Sequence, residues 1–158
     1  MRRPEVLDPV EDLLGPDIMS WSSHLYSKEP GDGLFISWHQ DSAHWGRDSS
    51  KILTAWIALT EASEETGCMR MLYGSHKEGI APHRDTWEPN NILTRGQTID
   101  AEIDENQAAW TTVQPGEVSF HHVHIWRASK PNETSTRRFG LALHYIAPEA
   151  RQERVDSD

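Results

Sequence analysis

Nine consecutive residues, Ile52-Leu53-Thr54-Ala55-Trp56-Ile57-Ala58-Leu59-Thr60, carry neither a charge nor a turn former. A strand with one wet face alternates apolar and polar side chains. This run does not, so it is read as a strand buried on both faces. Further strand-like runs surround it in the chain: Ile18–Lys28, Leu34–Trp38, Cys68–Tyr73, Ala108–Val113, Glu117–His122, one beginning at Val123, and Arg138–Ile146. Turn formers separate them, among them Glu29-Pro30-Gly31-Asp32-Gly33 and Pro115-Gly116. About eight short strands, little helix and no repeats predict a mainly β chain, a jelly roll of two sheets facing each other around a pocket.

One short helix is expected near the start, with Asp8 as N-cap, Pro9 at the first helical position and Gly15-Pro16 as its stop. Residues 42–50 are expected as a loop. Residues 77–107 are polar and weakly periodic, and a loop of that length is usually functional or mobile. A single domain over residues 1–150 is expected, with 151–158 a charged, frayed tail.

The formal net charge of −10 argues against a nucleic-acid binder, because little here would release phosphate counterions. The apolar runs are far too short to cross a bilayer, and Met1-Arg2-Arg3-Pro4-Glu5 leads into no apolar signal-peptide stretch. A single cysteine, Cys68, excludes an internal disulfide and fits a reducing, cytoplasmic setting. Seven tryptophans and nine histidines in 158 residues suit a lined pocket for a small molecule.

Chemistry enters at Trp38-His39-Gln40-Asp41, which ends one of the apolar runs. Side chains on a strand repeat every two residues, so His39 and Asp41 project from one face. An imidazole and a carboxylate so placed are two thirds of a facial metal triad. Two histidines and one carboxylate, with three positions left open, suit non-haem Fe(II) and oxygen.

Further motifs follow in order: Leu53-Thr54-Ala55-Trp56-Ile57-Ala58-Leu59, Gly67-Cys68-Met69, Gly74-Ser75-His76-Lys77, Pro115-Gly116-Glu117, His121-His122, Ala128-Ser129-Lys130-Pro131-Asn132 and Arg137-Arg138-Phe139-Gly140-Leu141-Ala142. As an ordered set over roughly residues 4–150 they closely resemble the phytanoyl-CoA dioxygenase family of Fe(II)- and 2-oxoglutarate-dependent oxygenases. The resemblance implies a double-stranded β-helix, cupin-like and short at its N-terminal side, since family members carry a further segment there. It implies His39 and Asp41 as iron ligands. Arg138 would pair with the distal carboxylate of 2-oxoglutarate, a role that suits a permanently charged planar fork. Ser129 and Trp56 would line the same co-substrate pocket.

One position departs from that pattern. Where the resemblance implies a histidine as third iron ligand, this chain has Arg127. Arginine offers no lone pair, and its charge about 4 Å from a dication would cost on the order of 8 kcal/mol at an effective dielectric near 20. His121, His122 and His124 are nearby in sequence. On a continuous strand His122 and His124 face away from position 127, while His121 shares its parity but lies about 20 Å along an extended chain. Three functions are therefore open. One is an oxygenase acting on an unidentified small organic substrate. The second is a metal-deficient member in which Arg127 pairs with Asp41 and Arg138 still binds an anion. The third is an unrelated jelly-roll binding module. No basic cluster suited to a CoA phosphate is evident.

Overall fold

The computed structural model describes residues 3–45 and 50–150, apart from the side chain of His44. Helix α1, Pro4–Leu14, opens the chain. It starts earlier than the Asp8-Pro9 signature implies: Arg3 is the capping residue, Pro4 takes the first turn, and Pro9 lies inside the helix. An interior proline removes one helical hydrogen bond. Packing offsets that loss, because Val6 and Val10 are buried against the first sheet. Gly15 ends the helix as expected, its N–H donating to the Glu11 carbonyl at 2.8 Å.

Eight strands form two antiparallel four-stranded sheets. The first has the order β1 (Met19–Lys28), β10 (Arg138–Ile146), β3 (Ile52–Ala58), β8 (Val118–His122). The second has the order β2 (Ile36–His39), β9 (Trp126–Ser129), β4 (Met69–Leu72), β7 (Ala108–Thr111). A one-turn helix α2, Ser42–Trp45, occupies part of the stretch expected as loop. The expected tail at 151–158 lies outside the described residues, as do Gly46 and Asp48 of the expected loop.

The alternation of β3 explains its unbroken apolar run. Leu53 and Ala55 turn outward under α1 with Leu143 and Tyr145 of β10. Trp56 and Ala58 turn inward to meet Met69 and Met71 of the second sheet. One face of β3 thus packs on helix and the other on sheet. Its neighbour β10 supplies Gly140 beneath Trp56, where any β-carbon would overlap the indole ring.

Residues 77–107 are not a bare loop. They carry the ribbon β5 (His83–Arg84) with β6 (Thr98–Ile99), and Ile99 joins Trp38, Trp126 and Ala128 in a core of its own. Gln40 pins this stretch down: its buried amide donates to the carbonyls of Gly79 and His124 and accepts from the Ala81 N–H. Among the described residues no helix is long and apolar enough to cross a membrane.

Candidate active site

Strand β2 ends at His39 and delivers Asp41 two residues later, both buried. The His39 ring is oriented by Nδ1, 2.8 Å from the Ser37 carbonyl. A carbonyl only accepts, so Nδ1 carries a proton, and Nε2 lies 3.4 Å from Asp41 Oδ1. A buried carboxylate calls for a cation beside it.

Arg127 supplies it. Strand β9 pairs with β2 so that Arg127 lies directly across from His39. Its Nη2 donates to Asp41 Oδ1 at 2.5 Å, with the Asp41 and Arg127 side chains only 5% and 14% exposed. Burial alone would raise the Asp41 carboxyl. The Arg127 charge, followed by His121 and His39, outweighs burial and holds it well below the usual carboxylate range.

The position of His121 differs from the sequence expectation. The chain turns sharply after β8, so no extended strand separates residues 121 and 127. His121 reaches the site from the opposite sheet, with Nε2 3.7 Å from Asp41 Oδ2. It is buried, and burial pushes its pKa down. Both its ring nitrogens and Asp41 Oδ2 lack a hydrogen-bond partner. His122 and His124 face elsewhere: His122 meets His76 and His124 at ring separations of 5.3 and 5.1 Å, tilted and edge-on.

Arg138, at the start of β10, is 3% exposed. Its Nη1 donates to the Gly67 carbonyl at 2.8 Å, and its guanidinium lies 5.5 Å from the centre of the Trp56 ring. Gly67 has φ +73°, and a β-carbon there would overlap the carbonyl oxygens of Lys130 and Pro131. Directly opposite Arg138 in the strand register stands Lys28, a residue that the sequence reading passed over. Lys28 is fully buried. Its Nζ donates to Ser129 Oγ at 2.7 Å and to the Lys130 carbonyl. Burial, then the Arg138 charge, pushes Lys28 down to about 7.

His39, Asp41, Arg127, Ser129, Arg138 and Trp56 all line one cavity of about 490 Å³, together with His121 and His144. His144 is oriented by Thr54, whose hydroxyl lies 2.9 Å from Nδ1. The cavity therefore has a cationic end at Arg138 and a carboxylate–imidazole end at Asp41 that a guanidinium bridges. Iron does not fit the second end as these side chains stand. Arg127 takes the space beside the Asp41 carboxylate, and no three His, Cys, Asp or Glu among the described residues are placed to hold a metal ion.

An antiparallel double sheet with this pocket is the cupin-like architecture of non-haem oxygenases. The phytanoyl-CoA dioxygenase (PhyH) family model matches residues 1–140, and the chain belongs to that family. It is 33% identical to a probable alpha-ketoglutarate-dependent hypophosphite dioxygenase of Stutzerimonas stutzeri over 95% of this chain and 52% of that protein. It is 31% identical to the human peroxisomal phytanoyl-CoA dioxygenase over 91% of this chain and 44% of that protein. Among solved structures, the apo form of the non-heme monooxygenase ThoJ matches with TM-score 0.86 and 36% identity, over 96% of this chain and 55% of that one. EvdO2 from Micromonospora carbonacea, complexed with 2-oxoglutarate, shares the fold with TM-score 0.77 at 23% identity, over 99% of this chain and 64% of that one. The chain spans about half the length of the curated relatives it matches.

Proposed function

We propose that this chain is a 2-oxoglutarate-oxygenase-type domain that keeps the co-substrate pocket and has its metal position closed by Arg127. In this reading Arg138, Ser129 and Trp56 are the co-substrate contacts. His39 and Asp41 are the remaining two donors of a site meant for Fe(II). The observation that carries the reading is the 2.5 Å contact between Arg127 and Asp41, made where a third ligand would stand. The domain then binds a small carboxylic acid without oxidising a substrate. The name of one relative, a probable alpha-ketoglutarate-dependent dioxygenase, supports the co-substrate half of this proposal.

Turnover tests it. Succinate release from 2-oxoglutarate, with Fe(II), ascorbate and oxygen supplied, should stay at background for the wild type and appear in Arg127→His. Replacing Asp41 by alanine in that restored protein should remove it again. Wild-type turnover equal to that of Arg127→His would sink the proposal.

A second reading is an iron-dependent oxygenase of a small organic substrate, with His121 as third donor once Arg127 has swung out. The specific support is His121 Nε2 at 3.7 Å from Asp41 Oδ2, both without hydrogen-bond partners. Wild-type turnover that disappears in His121→Ala would favour it.

A further inference from the structure

We infer that the cavity takes short dicarboxylates without a metal, and that it does not require the 2-oxo group. This rests on the reading that Arg127 closes the metal position, and it concerns what Arg127 offers in exchange.

A metal ion and a guanidinium read a 2-oxo acid differently. An ion that chelates it grips one carboxylate oxygen and the adjacent keto oxygen, so the keto group adds to affinity. A guanidinium grips a carboxylate through parallel N–H donors and has no use for the neighbouring carbonyl. Exchanging one for the other at a fixed place in a pocket should therefore erase discrimination between a 2-oxo dicarboxylate and the plain acid of equal length.

Arg127 has the donors for this. Of its groups, Nη2 is engaged by Asp41, Nη1 touches only the weakly accepting Met69 sulfur at 3.6 Å, and Nε is buried without a partner. At the other end of the cavity Arg138 Nε is likewise buried without a partner, while its Nη1 is held by Gly67. Each buried N–H left unsatisfied costs about 1–3 kcal/mol. Both guanidinium-bearing side chains line one cavity, so an acid with two carboxylates can engage the two of them at once.

Charge points the same way. Arg127 is neutralised by Asp41, whereas Arg138 and the buried Lys28 beside it have no ion-pair partner among the described residues. Arg95 also lines the cavity, but its guanidinium is engaged by Asp85 at 2.9 Å. The Arg138 end thus attracts the first carboxylate by charge, and the Arg127 end holds the second by hydrogen bonds. An acid with only one carboxylate makes the first interaction and misses the second.

Calorimetric titration of the full chain in EDTA tests this with three acids: 2-oxoglutarate, glutarate and pentanoate. The two dicarboxylates should bind within about threefold of each other, and pentanoate at least about tenfold more weakly. Arg127→Gln should bring both dicarboxylates close to the pentanoate value, with circular dichroism and thermal unfolding reporting that the fold is intact. Should that variant not fold, Arg127→Lys keeps a charge for Asp41, loses the fork, and should weaken the dicarboxylates selectively. Preference for 2-oxoglutarate over glutarate by tenfold or more would overturn the inference, as would no binding of any acid, or dicarboxylate affinity unmoved by both variants. Those results leave the closed metal position standing. Binding of 2-oxoglutarate that appears only on adding Fe(II) would overturn both.

Discussion

Asp41 and Arg127 depend on each other. A buried ion pair contributes little net stability over an apolar pair of similar volume, but breaking it strands a charge. Asp41→Asn should therefore destabilise the fold by about 3–5 kcal/mol, as read by urea unfolding, while replacing both residues by apolar ones should restore most of that loss. A single-change loss below about 1 kcal/mol would mean that the pair is looser than its geometry indicates. Lys28 gives a second residue-scale expectation. Its folded-state pKa of about 7 lies below the ordinary lysine value of 10.5, so between those values the unfolded chain binds the extra proton. Stability from this group should rise as pH increases through that window, and the burial penalty should be fully present below it. Lys28→Met should flatten the rise between pH 7 and 10, and an unchanged profile would contradict the assignment. Arg127 was legible in the sequence because a motif on either side fixed what ought to stand there. Lys28 was not, because nothing in Tyr26-Ser27-Lys28 separates a buried cation from a solvated one. His121 was misplaced because parity assumes a straight strand, and the chain turns between β8 and β9.

At the scale of elements, β3 and β10 set the cavity. Trp56 on β3 lies over Gly140 on β10 and against the Arg138 guanidinium, so one ring links sheet packing to the cationic end of the pocket. Gly140→Ala should displace that ring and cost about 1–3 kcal/mol as an overpacked core. Weaker dicarboxylate binding should accompany it, and a fully stable protein with unchanged binding would show that the contact is not tight. Strand β10 was readable to the residue because Arg138–Ile146 is a long run with no competing turn signal. The helix start was misread because Asp8-Pro9 imitates a capping signature, while Arg3-Pro4 starts the helix five residues earlier. The ribbon within 77–107 left almost no periodic trace. Isolated anchors hold it, Ile99 in a small core and Gln40 through three hydrogen bonds, and neither forms a pattern along the chain.

At the scale of the molecule, two four-stranded sheets enclose a cavity whose two ends are chemically unlike. The architecture belongs to the family, and Arg127 lies across from His39 within it. The central claim is that this arginine stands in the metal's place. Anaerobic equilibrium dialysis against Fe(II) tests it most directly, on the wild type and on Arg127→His at neutral pH. Arg127→His should hold one iron per chain at micromolar free metal, and the wild type should hold none. Micromolar iron binding by the wild type, abolished by His121→Ala, would contradict the claim and place the third ligand on β8.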